Sequence, residues 1–181
     1  MLRAFRNLIL REGGATAVEF AIMFPLMLVF FINVIVMFDG FRANRALSVA
    51  SHAGSDLLSR FQENLSSKDI QNVLATTSAI MGQYADKTDP VIVMASIRNP
   101  FDNKPDLQLV CSQSNKSGKE LTKDQLGGLS LPYVPEGDSV VLVSIKSTYK
   151  PLLVNDLIGT ITLEDVQFRR PRFIKELNFG C

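Results

Sequence analysis

Glu19 is the residue whose chemistry is hardest to account for. It directly precedes the nineteen uncharged residues from Phe20 to Phe38. A carboxylate at full depth in lipid costs about 2.5 to 3.5 kcal/mol, less near the interface. Immediately before it, Gly13-Gly14-Ala15-Thr16-Ala17-Val18 is a small, flexible stretch that a protease could hold extended. Cleavage between Gly14 and Ala15 would free an α-amino group on Ala15 and leave Glu19 as the fifth residue of the shortened chain. The other chemistry-bearing residues are sparse. His52 is the only histidine, which excludes two-histidine metal motifs and would force any Ser-His-Asp catalysis onto a helical residue. Ser117-Gly118-Lys119 lacks the first glycine of a phosphate loop, and Glu120 stands where Ser or Thr would follow the lysine. Asp102, Asn103 and Asp106 lack the twelve-residue calcium-loop pattern and lie among turn-forming prolines. No nucleophile, base and orienting group can be assembled from these residues, so the expectation is a non-enzymatic protein without cofactor or metal.

The elements that must position Glu19 begin with the apolar run itself. FAIMFPLMLVFFINVIVMF makes about 28 Å of helix, against roughly 30 Å of hydrocarbon. It reads as a membrane span and exceeds the apolar core of an ordinary secretory signal. Arg3, Arg6 and Arg11 form a basic leader that should stay cytoplasmic, although Arg42 and Arg45 on the far side make the asymmetry small. With 181 residues, 19 Lys and Arg against 18 Asp and Glu, and a formal charge of +1, the chain carries no global excess that would suit nucleic acid. Three parts follow: a leader over residues 1–14, a transmembrane helix over 15–38 and an exported domain over 39–181.

The run Gly14-Ala15-Thr16-Ala17-Val18-Glu19-Phe20-Ala21, with Pro25 inside the apolar stretch, resembles the type III signal of type IV pilin-like proteins. In particular it is similar to TadE-like pseudopilins of the tight-adherence (Tad) pilus system. Arg45 to Arg60, Ser147 to Leu152 and Phe168 to Arg172 also resemble stretches of such proteins. The resemblance implies removal of the leader after Gly14 by a prepilin peptidase, with Ala15 as the new terminus. It also implies an assembly role for Glu19, Phe20 and Pro25, whose partners are other pilins or pseudopilins and the Tad assembly platform. The α-amino group of Ala15 on one subunit would pair with Glu19 of its neighbour, cancelling two charges that are each costly in lipid. The implied protein is a minor pilin or pseudopilin in the bacterial inner membrane, N-terminus cytoplasmic and domain periplasmic, entering an adhesive pilus. Two other readings remain: an uncleaved bitopic scaffold of the assembly or secretion platform, and a membrane-tethered periplasmic enzyme.

Beyond the span, Leu47, Ala50, Gly54, Leu57, Phe61 and Leu65 recur at spacings of three and four, with Arg45, Ser48, Ser55, Asp56 and Arg60 lying off that stripe. The helix is expected to continue from Ala15 to about Asn64, bent at Asp39-Gly40 and kinked by Pro25 near residues 21 to 25. Asn33 offers an amide to a neighbouring helix. A second helix carries Ile70, Val73, Leu74, Thr77, Ile80, Met81 and Tyr84 on one face, is capped by Ser66 or Ser67, and ends near Asp86. Period-two runs at 91–98 and 107–112 read as a hairpin, followed by a polar loop and strands at 140–149 and 161–168. A phase change near Glu164 suggests a bulge there. The sum is an α+β fold in which two helices pack on a small antiparallel sheet. Cys111 and Cys181 can form a single bridge in an oxidising compartment, or stay reduced. Arg169, Arg170, Arg172 and Lys175 read as a solvated strand end rather than a lipid-docking patch.

Overall fold

The computed structural model describes residues 13–100, 107–151 and 159–181. Residues 1–12 of the leader with Arg3, Arg6 and Arg11, the side chain of Ala15, the turn residues 101–106 and Leu152 lie outside what is described.

Helix α1 runs over Gly13–Ser59, 47 residues, and passes Pro25 and Gly40 without interruption. It is a helix long and apolar enough to cross a membrane, and 6% of its most apolar 18-residue stretch is buried. So little burial does not fit a core helix of this chain, which would be mostly buried. The helix stops at Ser59, five residues short of Asn64, because the C-terminal segment occupies its end: the Arg172 amide donates to the Ser59 carbonyl at 2.8 Å.

The buried face of α1 is rotated from the expected stripe. Ala43, Leu47, Ala50, Ser51, Ser55, Leu58 and Ser59 are buried, while Leu57 is exposed. Small residues win here because they let the helix approach the sheet closely, and a buried serine need not be left unpaired. The Ser55 hydroxyl donates to the His52 carbonyl at 2.9 Å and that of Ser59 to the Asp56 carbonyl at 2.8 Å. Gly54 marks the closest approach. A Cβ built there would lie 2.8 Å from Thr77 Oγ1 and 3.5 Å from Val143 Cγ1.

Helix α2, Ser67–Ile80, starts at Ser66, whose side chain accepts from the Asp69 amide while the Asp69 carboxylate accepts from the Ser66 amide. Gly82, at φ 57°, breaks what the periodicity reads as one helix, and a short α3 follows over Gln83–Thr88. Ile70, Val73, Leu74, Thr77, Met81 and Tyr84 are buried as expected, but Ile80, at the flank of that face, is exposed.

Four antiparallel strands, β1 Val91–Arg98, β2 Gln108–Ser114, β3 Ser139–Tyr149 and β4 Ile161–Arg169, lie in the order β2-β1-β3-β4, so β1 and β2 form the expected hairpin. The bulge is not at Glu164. Strands β3 and β4 pair in one register from Val141 opposite Arg169 to Tyr149 opposite Ile161. The register shifts instead where Ser96 faces Cys111 and Ile97 faces Leu109, leaving Val110 as the extra residue. This separates Cys111, in the core under the helices, from Leu107 and Leu109, which pack on the opposite face. The apparent phase change in β4 reflects two different coverings. Leu163 packs toward the helices and Val166 and Phe168 toward the other side, while Asp165 faces α1, where Ser51 donates to its carboxylate.

That other side corrects a second expectation. The segment between β2 and β3, with short helix α4 at Lys123–Leu126, is a cover: Leu121, Leu126, Leu129, Leu131 and Val134 pack over Ala95, Ile97, Val140 and Leu142. Its five apolar residues have no regular period, which is why it reads as a loop. The domain therefore has three layers: helices, sheet and cover.

The C-terminal segment straps these layers together. Leu177 and Phe179 are buried, and the Leu65 amide donates to the Asn178 carbonyl at 2.9 Å. Arg170, Arg172 and Lys175 are exposed, as expected of a solvated strand end, and within it Arg172 pairs with Asp56 at 2.8 Å and Arg170 with Asp138 at 3.2 Å. Cys181 is joined to Cys111 across 70 residues of chain, Cα to Cα 5.8 Å.

Two consequences can be measured on the detergent-solubilised chain by thermal or urea unfolding. Gly54→Val should destabilise by about 1–3 kcal/mol through overpacking between α1, α2 and β3, whereas Gly127→Ala, which meets nothing within 4 Å, should be near neutral. Cys181→Ser should lose about 2–4 kcal/mol and release the strap, so that amides near Leu65 exchange faster.

Candidate functional site

Between Val18 and Phe41, sixteen large apolar side chains of α1 are exposed, among them Phe20 at 68% and Phe41 at 63%. Leaving so much apolar surface in water would forgo stabilisation on the order of tens of kcal/mol. This is the largest unpartnered surface among the described residues and the first part of the candidate site. Within it Phe20 stacks on Phe24, ring centroids 5.7 Å apart, one helical turn along. Pro25 sits inside the continuous helix. Asn33 donates back to the Val29 carbonyl at 2.8 Å, so its amide is engaged within its own helix.

Glu19 lies at the exposed start of this rod, and no cation pairs with it among the described residues. The backbone at Gly14 and Ala15 is already helical. An extended conformation at that junction therefore requires the first turn to unwind, which the Gly13-Gly14 pair makes inexpensive, at about 1 kcal/mol of lost helix propensity per glycine. Glu19, Phe20 and Pro25 share one helix with that junction, while Cys111 and Cys181 lie in the domain at the other end of the chain's fold.

The second part is the junction where the rod enters the domain. Asp39 is the first charge after the nineteen apolar residues, and both its oxygens are taken. Tyr84, from α3, donates to Oδ1 at 2.9 Å, and Tyr149, the last residue of β3, donates to Oδ2 at 2.6 Å. The Tyr149 ring lies against the helix at Gly40, where a Cβ would make an ordinary contact with Cε1 at 3.7 Å. Two tyrosines from different elements thus grip one turn of α1 at the position where the sequence pattern suggests a bend. The hydrogen bond from Tyr149 is the main reason the Asp39 carboxyl is held below the usual carboxylate range. Burial opposes it, and Tyr84, Lys87 and Arg42 add to it. Tyr149 moves the other way, pushed above its ordinary range first by burial and then by Asp39.

Arg42 lies over the Phe38 ring at 4.9 Å, and Lys87 over the Tyr84 ring at 5.7 Å. Two apolar grooves flank the helix where it leaves the domain. One, about 500 Å³, is lined by Val34, Ile35, Phe38, Arg42 and Tyr149. The other, about 530 Å³, is lined by Asn33, Met37, Phe41, Tyr149, Ile161 and Leu163. Sequence reasoning found the rod and missed the junction. Its signal was an acid directly after an apolar run together with two tyrosines on otherwise apolar faces.

The His52 ring is exposed on α1, and the described residues contain no group of three or more His, Cys, Asp or Glu that could hold a metal. Comparison with protein-family models, with curated proteins and with solved structures finds no match to the chain.

The junction has a pH window with a definite sign. Asp39's lowered value adds stability above about pH 4 that disappears as pH falls through the folded value. The raised value of Tyr149 adds stability below about pH 10 that disappears as pH rises through its folded value. Tyr149→Phe should cost about 1–3 kcal/mol and flatten both limbs, and Asp39→Asn should flatten the acid limb. Thermal midpoints recorded from pH 3 to 11 would check both.

Proposed function

We propose that this chain is a non-enzymatic, TadE-like minor pilin or pseudopilin, anchored by its rod in the inner membrane with the α+β domain on the periplasmic side. The observation that carries this reading is the exposed apolar half of α1, continuous with a half that is buried in the domain and headed by an acid just past a Gly14-Ala15 junction. Lipid covers the rod before assembly, and the rods of neighbouring subunits cover it afterwards. Removal of the leader by a prepilin peptidase supplies the Ala15 amine. That amine offsets the Glu19 carboxylate of a neighbour, and Phe20 and Pro25 shape the packing beside it. A bridge between Cys111 and Cys181 suits an oxidising compartment.

Because the rod and the domain share one helix gripped at Asp39, lateral packing of rods would set the orientation in which each domain is presented to other pilus components. The buried Ser and Gly face of α1 keeps that orientation stiff.

Mass spectrometry of the membrane-extracted chain tests the reading. An N-terminus at Ala15 is expected, and intact residues 1–14 would point to the uncleaved bitopic scaffold instead. Glu19→Gln is expected to insert normally while reducing pilus assembly, processing or both at least tenfold, about 1.4 kcal/mol. Wild-type pilus yield in that variant would exclude the pairing role.

A further inference from the structure

The collar at the rod–domain junction has a depth, a charge and a shape that together specify a ligand. If Phe20 to Phe38 fills the hydrocarbon, Phe38 lies at its edge and Arg42 is about 6 Å further along the helix axis. The headgroup layer on each side of a bilayer is about 5–7 Å deep, so Arg42 lies at the level of the phosphates. Arg42 and Lys87 are exposed, and neither forms an ion pair among the described residues. Asp39, whose carboxylate interacts with both cations, accepts a tyrosine hydroxyl at each oxygen. The two cations instead lie against aromatic faces, an arrangement that holds the guanidinium and ammonium in place while leaving their N–H groups free to meet an acceptor. Beside Arg42 opens the groove of about 500 Å³ walled by Val34, Ile35 and Phe38, which descends along the rod toward the hydrocarbon.

We propose that this collar binds an anionic phospholipid, its phosphate between Arg42 and Lys87 and the upper part of an acyl chain in the Val34–Phe38 groove. The complementarity is one of charge and polarity: cations at phosphate depth, an apolar slot below them. Asp39 keeps its negative charge beside the pair while accepting from the two tyrosines, so two cations against one carboxylate leave the collar net positive. Arg170 and Arg172, by contrast, are committed to Asp138 and Asp56 and are not part of this site. The bound lipid would fix the height of the domain above the membrane before the subunit is withdrawn into a polymer. The inference rests on the membrane-spanning reading of the rod but not on the pilus.

The test uses the full chain reconstituted in liposomes of equal phosphatidylcholine and phosphatidylglycerol, extracted in mild detergent and examined by native mass spectrometry. Retained phosphatidylglycerol should exceed phosphatidylcholine. Arg42→Gln and Lys87→Gln should each lower that preference about fivefold, and Lys68→Gln, at the start of α2, should leave it unchanged. Circular dichroism establishes that each variant is folded. Equal retention of the two lipids by the wild-type chain overturns the proposal, as does an unaltered preference in the Arg42→Gln, Lys87→Gln double variant. So does a lipid-free dimer, which would show a second copy in the grooves. Alkaline carbonate extraction separates the two levels of inference. Release of the chain from liposomes would refute the membrane span itself, whereas retention without lipid preference refutes only the collar site.

Discussion

One helix has to be solvated by two different surroundings, and the rest of the structure follows from that. The first half of α1 exposes large apolar side chains on every side, whereas the second half exposes charges on one side and buries Ala, Ser, Gly and Leu on the other. An unbroken backbone across this change is not the default outcome, since a change of surroundings and an Asp-Gly pair both favour a hinge. The Asp39 carboxylate prevents it by accepting from tyrosines that belong to α3 and β3. Both donors are buried within the domain, so the grip has a low-dielectric side on which charge-assisted hydrogen bonds are strong. The helix therefore leaves the domain in a direction set by tertiary structure and not by its own stiffness.

The opposite end of the domain is held by different means. The carbonyl of Ser59 and the backbone of Leu65 are used by the C-terminal segment, which then reaches β2 through the bridge at Cys111. Chain entropy explains why that end needs it. Residues 170–181 contain no regular element, so without the bridge and the buried Leu177 and Phe179 there would be little to offset the cost of ordering them. With both ends fixed, a force applied along the rod is resisted by the helix–sheet interface, where Gly54 brings α1 against Thr77 and Val143.

How much of this could be read in advance depended on whether the signal was local. The rod, the four strands, the hairpin and the Ser66 cap are written in short stretches of residue types, and the structure has them. The pairing of Cys111 with Cys181 needed only that two cysteines exist. What escaped was set by tertiary context. Ser55 looks polar and is buried, because its hydroxyl finds a carbonyl three residues back. Leu121 to Val134 look like a loop and are a layer of the core. The change of phase in β4 looks like a bulge and is two faces covered by different elements, while the actual bulge at Val110 lies in a run whose alternation looks regular. Gly40 reads as a breaker and is the place where Tyr149 lies against the helix.

The two acids of the rod make the physical contrast that matters most for function. Glu19 and Asp39 carry the same charge about 30 Å apart along one helix. Asp39 is satisfied inside the chain, by donors the fold delivers to it, and so it contributes to the stability of a single subunit. Glu19 has no ion-pair partner among the described residues. On the proposed reading its partner comes from a second chain, so its cost in lipid is carried by each separate subunit and relieved only in an assembly. An acid satisfied within the fold fixes the shape of a monomer. An acid left for a neighbour makes the isolated monomer the less stable state in the membrane, which gives assembly a direction without requiring any strong contact between the domains.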